Sequence, residues 1–117
     1  MKLSFYFSVV VSVSLFLGSC SLPKIEKEAP EINVIAPNSE FCIILPENHT
    51  TGYLWQLSPT FDEGVVTHIN DVWHGNEKGI YLNFSSLSAG QTTLSFVSRK
   101  YQDTAEIKHF IVKIERD

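Results

Sequence analysis

The chain has 117 residues and a formal net charge of −4, with 44% hydrophobic and 19% charged residues. This length accommodates one small domain with a single hydrophobic core. The charge balance is mildly acidic and the basic residues form no stripe, so we expect no nucleic-acid partner.

The first segment, residues 1–19, is predicted to be a signal peptide. Lys2 supplies a positive start, and residues 3–17 form an apolar run interrupted only by serine. This run is shorter than the about 20 residues that a membrane-spanning helix needs. Residues 17–20, Leu-Gly-Ser-Cys, then have the form of a bacterial lipobox. We therefore expect a lipid on Cys20; an ordinary secretory signal with an incidental cysteine is the alternative.

Residues 20–31 are polar and charged and contain two prolines, which predicts a lipidated tether that holds the domain off a membrane. Ser21 is not an inner-membrane retention signal. We therefore expect a protein of the bacterial cell envelope, anchored at the outer membrane. A lipid on Cys20 would leave Cys42 without a disulfide partner. Cys42 lies in an apolar run with no base beside it, which indicates a small strand residue and not a reactive thiol.

From residue 32 onward the apolar residues recur with a period of two, which is typical of β-strands. Glycine, proline, asparagine and aspartate punctuate the runs and mark the turns. Strands are predicted at residues 32–35, 41–45, 53–57, 65–69, 80–84, 92–98 and 107–114. The pattern predicts an all-β domain over residues 32–117, an immunoglobulin-like antiparallel β-sandwich of about seven strands with Trp55 buried in the third.

Residues that could carry chemistry form no recognisable constellation. The chain has 4 histidines, but none has the pair spacing of a zinc site. The Gly-x-Ser-x-Gly pattern of a nucleophile elbow is missing from the sequence. We therefore expect no metal, no cofactor and no enzymatic activity. A hydrolase or metal protein that uses the histidines is the weakest alternative.

The most informative motif is Asn-His-Thr-Thr-Gly-Tyr-Leu-Trp, at residues 48–55. It begins as a polar turn and ends as an aromatic strand. The two threonines are β-branched and therefore stiff, and Gly52 can supply the positive φ that a tight turn demands. A rigid, chemically inert loop of this kind is suited to blocking a cleft. A plain hairpin turn is the alternative, but turn chemistry alone does not account for the Tyr and Trp that follow.

This motif resembles the first binding loop of the chagasin family, whose members inhibit papain-like cysteine proteases. The family has Asn-Pro-Thr-Thr-Gly-Tyr/Phe-x-Trp here, and only His49 departs from it, at the proline. The resemblance covers residues 32–116 and implies a sandwich in which three loops at one end enter the protease cleft. Thr50 would lie nearest the catalytic cysteine of the enzyme. The first-loop residues implied are Asn48, His49, Thr50, Thr51, Gly52 and Tyr53.

The other two loops match the family less closely. The second family loop reads Gly-x-Gly-Gly; here residues 75–79 take its place, with Gly75 and Asn76 at its start. The third reads Tyr-x-Arg-Pro-Trp, and residues 98–102 lack the proline and the tryptophan. The resemblance implies that Arg99 or Lys100 supplies the cation there and Tyr101 the aromatic surface.

The function implied is reversible, non-covalent inhibition of papain-family cysteine proteases, by insertion of loops into the active-site cleft. We expect the inhibitor to be a monomer whose partners are such a protease and the membrane. A non-inhibitory envelope lipoprotein with an immunoglobulin-like binding or assembly role is the alternative. Because proline would fix the φ angle that His49 leaves free, we expect His49→Pro to tighten binding.

Overall fold

The computed structural model describes residues 22–116, so the predicted signal peptide and Cys20 lie outside the described residues. All seven predicted strands are confirmed. Their bounds are β1 (Ile32–Ile35), β2 (Glu40–Leu45), β3 (Leu54–Leu57), β4 (Val66–Trp73), β5 (Ile80–Ser86), β6 (Gly90–Lys100) and β7 (Asp103–Ile114). No helix in residues 22–116 has the length and apolar character that crossing a bilayer requires.

Three strands are much longer than predicted, whereas the bounds of the others differ from the prediction by two residues at most. β4 continues to Trp73, and β6 and β7 form a long hairpin that reaches Lys100 and Asp103. The residues in these extensions are mostly exposed, so they interrupt the alternation of buried and exposed positions from which the strands were predicted. Backbone pairing continues where the apolar pattern has ended, because a ladder of hydrogen bonds needs no buried side chain.

The strands form two sheets with the orders β1-β7-β6-β3 and β2-β5-β4. The predicted all-β sandwich is therefore confirmed. Every strand pair is antiparallel except β1–β7, which is parallel. A short connection forces antiparallel pairing on β4–β5 and β6–β7, whereas β1 and β7 are far apart in the chain and are free to pair in parallel.

The core lies between the sheets and is built from the apolar positions that alternate along each strand. Phe41 and Phe84 stack with ring centroids 5.5 Å apart, and Phe96 meets Phe84 edge-on at 6.3 Å. Phe96 also meets Phe110 edge-on, at 5.8 Å. Trp55 is buried in β3, as the sequence predicted. This rigid two-layer body supports the loops at its ends.

Part of the predicted tether packs on the sandwich. The backbone N–H of Cys42 donates to the carbonyl of Pro23 at 2.9 Å, and that of Ile25 donates to the carbonyl of Cys42 at 2.9 Å. Ile25 is only 3% exposed and belongs to the core. Residues 23–25 thus extend the sheet beyond β2. Within the predicted tether of residues 20–31, residues 23–25 thus lie on the folded domain, because burying the side chain of Ile25 favours this position.

Cys42 is buried within β2, as its apolar neighbours predicted. Burial raises the pKa of its thiol, and the nearby positive charge of Lys24 opposes this only in part. A raised pKa keeps the thiol protonated at neutral pH and therefore poorly nucleophilic. This agrees with a structural role for Cys42.

Candidate functional site

The three predicted loops lie together at one end of the sandwich. Loop 1 (residues 46–53) joins β2 to β3, loop 2 (residues 74–79) joins β4 to β5, and loop 3 (residues 101–102) joins β6 to β7. The backbone N–H of His49 in loop 1 donates to Asn76 Oδ1 in loop 2 at 2.9 Å. The Tyr53 hydroxyl donates to the carboxylate of Asp103, directly after loop 3. Loop 1 is therefore held from both sides.

Loop 1 is shaped by the side chain of Asn48. Its Oδ1 accepts hydrogen bonds from the Thr50 N–H at 2.9 Å and from the Thr50 hydroxyl at 2.6 Å. Its backbone carbonyl accepts from the Thr51 N–H at 3.1 Å and from the Thr51 hydroxyl at 2.8 Å. An asparagine that bonds the backbone two residues ahead forms an Asx turn, which mimics a backbone turn. Loop 1 is thus preformed, with Thr50 exposed.

Gly52 completes the turn of loop 1. Its φ angle is +86°, in the region that residues with a Cβ rarely adopt. A Cβ at this position would also lie 3.1 Å from Cε of Lys100. The long side chain of Lys100 therefore packs against the backbone of loop 1, and a glycine lets it approach.

Two residues that the sequence analysis did not single out form the base of loop 1. Glu47 is 5% exposed; its Oε1 accepts the Trp55 N–H at 2.8 Å, and its Oε2 lies 2.8 Å from His49 Nε2. The indole N–H of Trp73 donates to the backbone carbonyl of Glu47 at 3.0 Å. The rings of Trp73 and His49 stack with centroids 3.7 Å apart and planes at 9°. In the sequence, the one indication of this base was Trp73, a tryptophan directly before the second loop.

Trp55 connects the motif to the scaffold. Its ring is buried, and its indole N–H donates to the carbonyl of Pro46 at 2.7 Å. A buried indole needs such a partner, because an unsatisfied N–H is costly inside a protein. The last residue of the motif thus secures the first residue of loop 1, which explains why the tryptophan and the turn occur together.

Loop 2 depends on a glycine other than the one predicted. Gly79 has φ +85°, and a Cβ on it would lie 2.2 Å from the carbonyl oxygen of Leu45. The predicted Gly75 has φ +102° but faces open space. The loop is closed by hydrogen bonds from the Gly79 N–H to the Gly75 carbonyl at 2.9 Å and from the His74 N–H to the Gly79 carbonyl at 2.8 Å. Asn76 contributes the contact to loop 1.

Loop 3 exposes its aromatic residue and separates the two candidate cations. Tyr101 is 90% exposed and has φ +57°. Lys100 lies against Gly52, whereas Arg99 lines a shallow depression with Gln56, Leu57, Ser58, Pro59 and Val97 on the surface beside β3. Of the two alternatives for the cation, the structure therefore brings Lys100 to loop 1 and leaves Arg99 on the sheet. A register shift between Ser98 and Arg99 accompanies this change of direction.

The histidines make separate contacts. His68 bonds Asp71, His109 bonds the Ser95 hydroxyl, and His74 packs on Tyr81. Within residues 22–116, no group of three or more histidine, cysteine, aspartate or glutamate side chains could hold a metal ion. The loop end is polar and presents two exposed side chains, those of Thr50 and Tyr101.

The model of the chagasin family of peptidase inhibitors, I42, matches residues 34–114. The chain belongs to this family. The chagasin-family chain is accordingly a peptidase inhibitor and not an enzyme. Two solved structures resemble it in fold. The cysteine protease inhibitor EhICP2 from Entamoeba histolytica superposes with a TM-score of 0.64 at 17% identity, covering 80% of this chain and 92% of that one. The solution structure of amebosin gives 0.51 at 19% identity, covering 82% and 98%. A comparison with curated proteins finds no match.

Proposed function

We propose that this chagasin-family chain inhibits papain-family cysteine proteases reversibly and without covalent attachment, by inserting loop 1 into the active-site cleft. The observation that carries this proposal is the exposure of Thr50 on a loop that is held by Asn48, by Asn76 of loop 2 and, through the Tyr53 hydroxyl, by Asp103 at the start of β7. The solved structure of the similar EhICP2 is described as that of a cysteine protease inhibitor, which supports the same target class.

Rigidity is the physical basis of inhibition by such a loop. A flexible segment loses conformational freedom when it binds, and a preformed loop avoids part of this loss. The same rigidity keeps the peptide bond beside Thr50 from adopting the geometry that attack by the enzyme requires. Loop 1 then fills the cleft by its shape and is not itself cleaved. Lys100, Tyr101 and Asn76 flank loop 1 and are proposed to contact the rim of the cleft.

Titration of papain with the soluble chain, residues 21–117, tests this proposal. We expect a stoichiometric end point and an intact inhibitor after incubation. Thr50→Asp should abolish inhibition, because it places a negative charge at the loop 1 residue that would lie nearest the catalytic cysteine of the enzyme. Thr93→Asp is the matched control, since Thr93 is an exposed threonine in the middle of the sheet surface. Steady digestion of the wild-type chain, or no inhibition by it, would contradict the proposal.

The alternative of a non-inhibitory envelope lipoprotein is not favoured, because the chain belongs to a peptidase inhibitor family. Such a protein would show no inhibition in the papain titration. It would instead co-purify with an envelope partner.

We infer further that the chain is a monomer anchored in the bacterial cell envelope, at the outer membrane, by a lipid on Cys20. The support is the lipobox form of residues 17–20. Pro23 already pairs with β2. The chain between Cys20 and Pro23 can span at most about 10 Å, so the lipid would be held close to the sandwich. Radiolabelled palmitate should mark the wild-type chain and not Cys20→Ser. Equal labelling of both would contradict the anchor. Size-exclusion chromatography of the soluble chain tests whether it is a monomer.

A further inference from the structure

A buried carboxylate, that of Glu47, lies at the start of loop 1, directly before the motif of residues 48–55. Glu47 is 5% exposed, although the residues on either side of it are exposed. Burying a carboxylate is costly unless hydrogen bonds or a cation compensate the loss of water. Here the compensation comes from the Trp55 N–H and from the ring of His49, each at 2.8 Å. The position of Glu47 therefore depends on His49, and that of His49 on Glu47.

His49 is held by three different elements. Its ring nitrogen contacts Glu47 in loop 1, its ring stacks on Trp73 at the end of β4, and its backbone N–H donates to Asn76 in loop 2. Trp73 in turn donates to the carbonyl of Glu47. The residue directly before Thr50 is thus the point where loop 1 is joined to the rest of the molecule.

Protonation of His49 would strengthen two of these contacts. The hydrogen bond to the Glu47 carboxylate becomes charge-assisted, and the stacked imidazolium gains a cation–π attraction to Trp73. Histidine is the side chain whose charge ordinarily changes between about pH 5 and pH 8. Family members with proline at this position have no titratable group there.

We propose that Glu47 is a positioning residue for the inhibitory loop, acting through His49, and that protonation of His49 tightens this hold. The consequence is an inhibitor that binds more strongly in mildly acidic than in neutral solution. This consequence rests on the proposed function, whereas the tightening of the loop does not.

Among residues 22–116, Glu47 is the one charged side chain that forms an ion pair with His49. The partners from β4 and loop 2, Trp73 and Asn76, are uncharged. Glu77, Lys78 and His74 of loop 2 form no ion pair in the part of the chain that the structure describes. Lys100 approaches loop 1 at Gly52. Among the described residues, Glu47 is accordingly the anion in direct contact with His49.

The decisive measurement is the dissociation constant of the complex with papain at about pH 5.5 and about pH 7.5, on either side of the range in which histidine changes charge. His49→Gln keeps a hydrogen-bond donor and removes the titration. We define the acid preference as the dissociation constant at the higher pH divided by that at the lower pH. We expect the acid preference of the wild type to exceed that of His49→Gln by roughly threefold or more, the size expected for a charged contact that is partly exposed. Dividing the two preferences removes the pH dependence of papain itself.

Two further variants separate positioning from mere structure. Glu47→Gln retains an acceptor for the Trp55 N–H, and we expect its acid preference to fall to that of His49→Gln. His109→Gln removes a histidine on the outer face of β7 and should behave as the wild type. Equal acid preferences in the wild type, His49→Gln and Glu47→Gln would overturn the proposal. So would an equally large loss of acid preference in His109→Gln.

Urea unfolding of the same variants at the two pH values needs no protease. We expect the coupling between Glu47 and His49, measured by a double-mutant cycle, to be larger in acid. If this coupling is seen but papain is not inhibited, the tightening of loop 1 stands and the proposed function fails. If papain is inhibited and the coupling is the same at both pH values, the positioning role fails and the proposed function stands.

The structure also reverses the expectation for His49→Pro. Proline has no N–H, so the bond to Asn76 is lost together with the contacts to Glu47 and Trp73. We now expect this variant to bind papain more weakly than the wild type, with no acid preference beyond that of His49→Gln. Tighter binding by His49→Pro at both pH values would contradict the positioning role of these contacts.

Discussion

Tyr101 adopts a backbone conformation that a tyrosine rarely takes, with φ +57° at the tip of the β6–β7 hairpin. A residue with a Cβ is destabilised there by about 1–2 kcal/mol. Replacement by glycine removes this strain, but part of the gain is lost because glycine loses more entropy on folding. Strain of this kind is retained where surrounding structure imposes it, often at sites of function. Under the proposed function, the exposed ring of Tyr101 serves contact with the protease and not stability.

We expect Tyr101→Gly to raise the free energy of unfolding by up to about 1 kcal/mol and to weaken inhibition of papain. Urea unfolding and inhibition assays measure the two effects. Tyr101→Asn is the control, since asparagine also tolerates positive φ but presents no ring. A variant that is less stable and inhibits equally well would show that Tyr101 serves the fold and not the interface.

At the scale of elements, the hydrogen bond from Tyr53 to Asp103 joins loop 1 to the β6–β7 hairpin. This bond to a carboxylate raises the pKa of the Tyr53 phenol, with smaller contributions from burial and from the negative charge. A raised pKa means that the folded state holds the proton more tightly than the unfolded state. The contribution is therefore present below about pH 10 and is lost as the pH rises through the raised pKa.

We expect Asp103→Asn to lower the pKa of the Tyr53 phenol toward its ordinary value and to weaken inhibition at neutral pH. The reason is that the amide lacks the charge that disfavours the phenolate, and the hairpin is held less firmly against loop 1. The phenolate absorbance of each chain, minus that of its Tyr53→Phe counterpart, isolates this titration. An unchanged titration in Asp103→Asn would mean that the two side chains do not interact in solution.

At the scale of the whole molecule, the domain begins earlier than the strand pattern indicates. Ile25 is 3% exposed and contacts the core, whereas Ile32 at the start of β1 is 43% exposed. We expect Ile25→Ala to lower the free energy of unfolding by about 2–4 kcal/mol, the usual loss for a buried aliphatic side chain. Ile32→Ala is the matched control and should cost far less. Equal losses in urea unfolding would refute the packing of residues 23–25 on β2.

Much of the fold could be predicted because its signals are local. Alternating residues such as Phe41, Ile43 and Leu45 report a strand face without knowledge of the partner strand. The exposed extensions of β4, β6 and β7 could not be predicted, since pairing with a neighbouring strand keeps these residues extended. The parallel pairing of β1 with β7 likewise depends on residues far apart in the chain.

The sequence by itself determined the class of fold, the rigid turn at Asn48 to Gly52 and its likeness to an inhibitor family, because strand alternation and turn chemistry act between neighbouring residues. Only the tertiary structure decided which of Arg99 and Lys100 reaches loop 1, and that Glu47, Trp73 and Gly79 support the loops. The physical reason is that a buried carboxylate, a stacked ring and a close backbone approach are each defined by a partner on another strand. Such partners lie 26 residues away for Trp73 and Glu47 and 50 residues away for Asp103 and Tyr53.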